Sequence, residues 1–246
     1  MKAIHPECGK KVEIYKDIII TPFYTEEFCD YLVDTAKYFD GRFIEHIKYK
    51  NDTETNNTVP WNTLFMSHIS QIMFENFCGH YKKFLVPLIN KNFICSGIEG
   101  WFSPFIIKYD KIGQNVNLHN DTSGFTMNVK LNTEFEGATL RFPRQEWSNK
   151  DIPKGWCFLW PSQVTHPHEA DPLIGGVKYT IASWTHPVSW SPNDLDRSIL
   201  YNDIILPDEI DIITPSARDE HGIEIDIITP SARDSARADE TWKDKI

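Results

Sequence analysis

The chain has 246 residues, 41% of them hydrophobic and 13% aromatic, with a formal charge of −10. That is enough apolar material for one large domain or two small ones around a real core. The negative balance argues against a nucleic-acid partner, which needs a basic face to neutralise phosphates. No stretch approaches the roughly 20 apolar residues that cross a bilayer.

In chain order, the N-terminal "MKAIHPECGKKVEIYKD" has no apolar run of the kind that marks a secretory signal. Five cysteines (Cys8, Cys29, Cys78, Cys95, Cys157) form no CxxC pair and suit reduced, buried thiols in a cytoplasm. "VEIYKDIII" (12–20) is β-branched and predicts a strand. "TPFYTEEFCDYLVDTAKYF" then sets Phe28, Leu32, Val33 and Ala36 at helical spacing, with Thr25 as N-cap and Glu26 and Glu27 in the first turn. "YKNDTETNNTV" (49–59) predicts a polar loop, and a second helical pattern runs from Met66 to Leu88, limited by Pro87.

From Trp101 the period shortens. "FIIKYD", "VNLH", "FTMNVKLN", "ATLRF", "GWCFLW" and "VKYTIASW" are short β-rich runs separated by Gly, Pro, Asn and Asp. Such spacing predicts an antiparallel sandwich or barrel. Helices first and a β-core second make the fold class α+β, mainly β. Behind this core, "EIDIITPSARD" occurs at 209–219 and again, letter for letter, at 224–234. The repeat is a tandem duplication in a segment too poor in apolar residues to fold alone; it reads as a surface extension, with a docking role as the alternative.

The chemistry concentrates in two places. His119 and Asp121 close one predicted strand, where alternate side chains share a face. One more histidine from a neighbouring strand gives two imidazoles and a carboxylate on one side of a metal, with adjacent positions open. That set suits a non-haem ferrous oxygenase, whereas a structural zinc site closes its fourth position with protein. His166 and His168, in "VTHPHEADPLIGGVKYTIASW" (164–184), both offer the third ligand. Lys178 then stands in an apolar strand, where a buried ammonium is costly without an anion. Thr180, Ala182 and Trp184 share its face, so Thr180 can add a hydroxyl to the same pocket. The plain alternatives are a chance H-x-D triplet, loop histidines around Pro167 and a lysine snorkelling from an edge strand. Taken together, the ordered set H-x-D, H and K favours a site.

The segment from Val12 to Trp190 resembles the catalytic domain of procollagen-lysine hydroxylases, within the Fe(II)- and 2-oxoglutarate-dependent dioxygenases. The likeness is carried by "PFIIKYDKIGQNVNLHNDTSGFTMNVKLNTEFEGATLRF", by "PKGWCFLWPSQVTHPHEADPLIGGVKYTIASW", and earlier by "FYTEEFCDYLV" and "VPWNTLFMSHI". It implies a double-stranded β-helix (jelly-roll) core with flanking N-terminal helices in residues 1–190, and a C-terminal extension at 191–246. It implies His119, Asp121 and His168 as iron ligands, His168 being preferred to His166 because the family's H-E pattern starts there. Lys178, where the lysyl enzymes carry arginine and some prolyl hydroxylases lysine, would hold the distal carboxylate of 2-oxoglutarate; Tyr109, Asn128 and Thr180 would line the pocket.

The activity so implied consumes O2 and 2-oxoglutarate, with ascorbate as reductant, and releases succinate and CO2. Hydrogen abstraction by an Fe(IV)-oxo centre leads to hydroxylation of a peptidyl side chain, lysine first. The carboxylate of Asp121 favours hydroxylation over halogenation. Prolyl or small-molecule hydroxylation, and a non-catalytic jelly-roll assembly module, are the alternatives. By the same resemblance the partner is a lysine-bearing peptide or protein and the assembly a homodimer; the lack of a secretory signal of the kind the secreted animal enzymes carry points instead to a cytoplasm, including that of a virus-infected cell.

Overall fold

The structure is a computed structural model that describes residues 1–45, 62–93 and 102–185. The polar segment 49–59, the Trp190 boundary and the duplicated tail lie outside these residues. Residues 12–20 form not one strand but a hairpin of β1 (Glu13–Tyr15) and β2 (Ile18–Pro22), with Tyr15 opposite Ile18. Lys16 and Asp17 take φ of 45° and 68°. Two successive left-handed residues make the two-residue turn that matches strand twist, so the chain reverses inside an unbroken β-branched run.

Helix α1 (Glu26–Tyr38) starts at Thr25, whose side-chain oxygen accepts from the Phe28 N–H at 3.2 Å, and buries Phe28, Cys29, Leu32, Val33 and Ala36. Two short strands follow, β3 (Ile44–Glu45) and β4 (Asn62–Phe65). The helical pattern over 66–88 is divided into α2 (Met66–Ile69), α3 (Gln71–His80), a π turn at Tyr81–Leu85 and α4 (Val86–Asn92). Ser70 is extended (φ −162°, ψ 134°) and its hydroxyl caps α3 through the Met73 N–H. The wide π turn precedes Pro87, whose ring would clash with the carbonyl four residues back in a regular helix.

The β-rich half contains β5 (Phe102–Tyr109), β6 (Val116–His119), β7 (Phe125–Lys130), β8 (Phe135–Gly137), β9 (Leu140–Phe142), β10 (Trp147–Ser148), β11 (Trp156–Pro161), β12 (His168–Ala170), β13 (Leu173–Gly176) and β14 (Lys178–Thr185). One sheet runs β1-β2-β11-β7-β14-β5-β4-β3, a second β10-β9-β12-β6, and β13 pairs with β8. All these pairings are antiparallel. The fold is thus mainly β with its long helices on the N-terminal side.

The two larger sheets meet across a core in which Ile18, Ile20, Phe158 and Trp160 of the first pack with Phe142 of the second. Burying each such side chain contributes roughly 1.5–3 kcal/mol. Gly155 joins this wall to the N-terminal segment: at φ +79° its carbonyl accepts from the Phe23 and Tyr24 N–H groups. The described cysteines, Cys8, Cys29, Cys78 and Cys157, are all free and buried. Among the described residues no helix is long and apolar enough to cross a membrane.

Candidate metal centre and adjoining pocket

The pairing of β12 with β6 sets His168 directly opposite His119. Asp121 lies just beyond β6, so strand alternation is not what aims it. Its Oδ2 instead accepts from the Thr126 hydroxyl at 2.6 Å, and that hydroxyl sits with Ser123 and Ser162 in a buried network. The result is that one ligand atom each from His119, Asp121 and His168 lies within 4.8 Å of the others. His119 Nε2 is 3.5 Å from Asp121 Oδ1, and His168 Nε2 is 3.5 Å from Asp121 Oδ2. Asp121 and His168 are buried, whereas His119 is open on one side.

Both imidazoles are held from behind. His119 Nδ1–H donates to the Asn117 carbonyl at 2.8 Å and His168 Nδ1–H to the His166 carbonyl at 3.0 Å. A ring that donates through Nδ1 keeps the Nε2 lone pair for a metal, and outer hydrogen bonds of this kind fix both tautomer and orientation. Burial lowers the His168 pKa, which keeps the ring neutral as a ligand must be. Burial alone would also lower that of His119 and raise that of Asp121, but their mutual hydrogen bond outweighs it, so His119 is raised and Asp121 lowered. Among the described residues no fourth His, Cys, Asp or Glu joins the group. Two imidazoles and a carboxylate on one side, with no further protein ligand among the described residues, fit a ferrous ion and not a closed structural zinc.

His166 is not part of this group. It is buried, with Nδ1 2.8 Å from the Thr165 hydroxyl and Nε2 donating to the Lys16 carbonyl at 3.0 Å. The proline between the two histidines thus separates a ring that props the β1–β2 turn from one that faces Asp121. Phe142 stacks on the His168 ring (centroids 5.3 Å, interplanar 30°) and Trp160 meets it edge-on at 5.1 Å. Thr126, Ser162, Phe142 and Trp160 are the neighbours that the sequence reading missed. Thr126 had a signal, since it shares the Asn128 face of "FTMNVK"; Phe142 and Trp160 come from strands whose pairing no local pattern specifies, and Ser162 lies just past the end of β11.

Lys178 opens β14 with Tyr109 of β5 as its register partner. It is 4% exposed, and its ammonium donates to the Ala138 carbonyl at 2.5 Å. The ammonium also lies over the rings of Tyr109 (5.1 Å) and Phe135 (5.7 Å). No carboxylate forms an ion pair with it among the described residues. Burial, and secondarily the charge of Lys130, push its pKa down to about 7. Burial pushes the Tyr109 phenol up. Thr180 stands on the same face, its hydroxyl 2.5 Å from Asn128 Oδ1 and 2.7 Å from the Val129 carbonyl. The structure therefore gathers Lys178, Thr180, Asn128 and Tyr109 on neighbouring strands. Lys178 and Thr180 line a cavity of about 270 Å³, while Asn128 and Tyr109 do not reach its wall.

No protein-family model matches the chain. Human procollagen-lysine,2-oxoglutarate 5-dioxygenase 2 is 30% identical over 179 residues, covering 70% of this chain and 24% of that protein. The chain therefore spans about a quarter of the length of this curated relative. Among solved structures, a prolyl hydroxylase from Trichoplax adhaerens, in complex with a hypoxia inducible factor oxygen degradation domain peptide, superposes with a TM-score of 0.55 at 16% identity over 70% of this chain and 84% of that one. A viral collagen prolyl hydroxylase from Paramecium bursaria Chlorella virus-1, in its 2-oxoglutarate complex, gives 0.51 at 16% identity over 74% and 98%. At these identities the superpositions establish the fold. In sequence the chain resembles the lysyl hydroxylases, and in fold the 2-oxoglutarate oxygenases.

Proposed function

We propose that this chain, which resembles the catalytic domains of Fe(II)- and 2-oxoglutarate-dependent lysyl hydroxylases, hydroxylates a peptidyl lysine side chain. In this reading residues 1–190 are a dioxygenase domain, a double-stranded β-helix supported by the two facing sheets, and 191–246 an extension. His119, Asp121 and His168 hold ferrous iron; Lys178 anchors the distal carboxylate of 2-oxoglutarate, with Thr180, Asn128 and Tyr109 around it. The oxidative chemistry would be the metal's own: O2, 2-oxoglutarate and a substrate C–H would give succinate, CO2 and C–OH, with ascorbate serving to keep the iron ferrous.

The protein's share is geometric. The Asn117 and His166 carbonyls aim the two imidazoles, and Thr126 fixes the carboxylate. Phe142 and Trp160 keep water from the buried side. The acidic balance of the chain suits a cationic lysine peptide in a cytoplasm. The observation that carries the reading is the convergence of three donors within 4.8 Å on a fold shared with 2-oxoglutarate oxygenases.

Purified protein with Fe(II), ascorbate and a lysine-bearing peptide should turn 2-oxoglutarate into succinate and add one oxygen mass to the peptide. His168→Ala should lose both signals; normal turnover in that variant would remove His168 from the ligand set. A second reading, prolyl hydroxylation, is favoured by lysine rather than arginine at position 178 and by prolyl hydroxylases among the structural neighbours. Oxygen addition to proline in a mixed peptide panel, with lysine untouched, would decide for it.

A further inference from the structure

A second lysine shares the Lys178 cavity. Lys130 ends β7 directly opposite Thr180 of β14, which makes Lys130 and Lys178 diagonal neighbours across one strand pair. Diagonal residues of one sheet face lie about 7–8 Å apart, within reach of long side chains. Both line the cavity of about 270 Å³. The Lys130 ammonium donates to the Ile152 carbonyl at 2.8 Å and the Lys150 carbonyl at 3.2 Å. Among the described residues neither lysine forms an ion pair with a carboxylate; Glu136 is the acidic residue in the wall. Burial lowers the Lys130 pKa, which nearby Asp151 offsets in part. Two neighbouring ammonium groups held by neutral carbonyls repel each other, and the arrangement is costly unless an anion enters between them.

We propose that Lys130 is a second cation for the distal carboxylate of the cosubstrate, so that Lys130 and Lys178 together select a 2-oxo acid for its second negative charge. This rests on the 2-oxoglutarate reading above. A single ammonium offers a point charge with no preferred fork. A pair of them encloses a carboxylate from two sides, each oxygen receiving its own donor. An uncharged residue at position 130 would leave the subsite with half its attraction and unchanged shape elsewhere.

The test compares binding of 2-oxoglutarate and of 2-oxopentanoate, which lacks the distal carboxylate, to wild type, Lys130→Met and Lys130→Arg. Calorimetry is run anaerobically on the Fe(II)-loaded and metal-free chains, so that turnover is not the readout. Lys130→Met should weaken 2-oxoglutarate about tenfold, leave 2-oxopentanoate unchanged, and be rescued by Lys130→Arg. Equal 2-oxoglutarate affinity in wild type and a folded Lys130→Met overturns the proposal while the cosubstrate reading stands. A wild type that binds no 2-oxoglutarate overturns both. Acetic anhydride footprinting of the wild type needs no variant: saturating 2-oxoglutarate should shield Lys130 and Lys178. Labelling of Lys130 that 2-oxoglutarate does not change overturns the proposal even if the Met variant fails to fold.

Discussion

Replacing Lys178 by methionine should stabilise the protein when metal and 2-oxoglutarate are absent. The ammonium is buried with no anion, and its pKa falls from 10.5 to about 7. At 1.36 kcal/mol per unit, this depression corresponds to a penalty of about 4–5 kcal/mol at neutral pH. Methionine keeps the length and apolar character of the side chain but leaves the Ala138 carbonyl without its donor, which costs about 1–3 kcal/mol. The net expectation is a gain of about 2 kcal/mol at pH 7.

The pH dependence distinguishes this from ordinary repacking. Between about pH 7 and pH 10.5 the unfolded chain binds the Lys178 proton and the folded chain does not. The Lys178 contribution to wild-type stability therefore rises with pH across that window, and its penalty is full below it. The advantage of the variant should be largest at or below pH 7, disappear at about pH 9, where the falling penalty matches the lost Ala138 hydrogen bond, and become a deficit as pH approaches 10.5. Urea unfolding followed by far-UV circular dichroism across this range measures it. A Lys178→Met protein less stable than wild type at pH 7, or a difference that does not change with pH, would refute the buried-unpaired-cation argument.

Other expectations follow from the same geometry. Because Lys178 must be protonated to hold an anion, the apparent dissociation constant for 2-oxoglutarate should rise by roughly tenfold per unit above pH 7; an equilibrium titration with a flat profile to pH 9 would contradict this. Thr126→Val removes the hydroxyl that fixes Asp121 and should weaken metal affinity by roughly 10–100-fold with the fold intact, measured by chelator competition. Gly155→Ala should cost roughly 2 kcal/mol or more in thermal unfolding, since a Cβ there would lie 2.3 Å from the Tyr24 carbonyl oxygen at a φ of +79°. Retention of the wild-type melting temperature would show that the Gly155–Tyr24 junction relaxes freely.

Much of the architecture could be read locally. Thr25 and the spacing of Phe28, Leu32 and Ala36 encode α1, because capping and amphipathic period act within one element. The β-rich runs appear as β5, β6, β7, β9, β11 and β14 for the same reason. The hairpin inside "VEIYKDIII" was hidden because Lys16 and Asp17 adopt left-handed angles without glycine. Strands β8, β10, β12 and β13, of two to four residues each, were not marked by a local pattern; their partners define them.

From sequence alone came the inventory: the H-x-D pair, two histidines around Pro167, and a lysine whose apolar surroundings required an anion. Which histidine faces Asp121, which hydroxyls restrain that carboxylate, and which second lysine shares the Lys178 cavity were decided only when β6, β12, β7 and β14 found their registers. Composition and spacing are properties of neighbours along the chain. The direction of a side chain across a sheet depends on strands many residues away, and a slip of one residue would turn it to the opposite face.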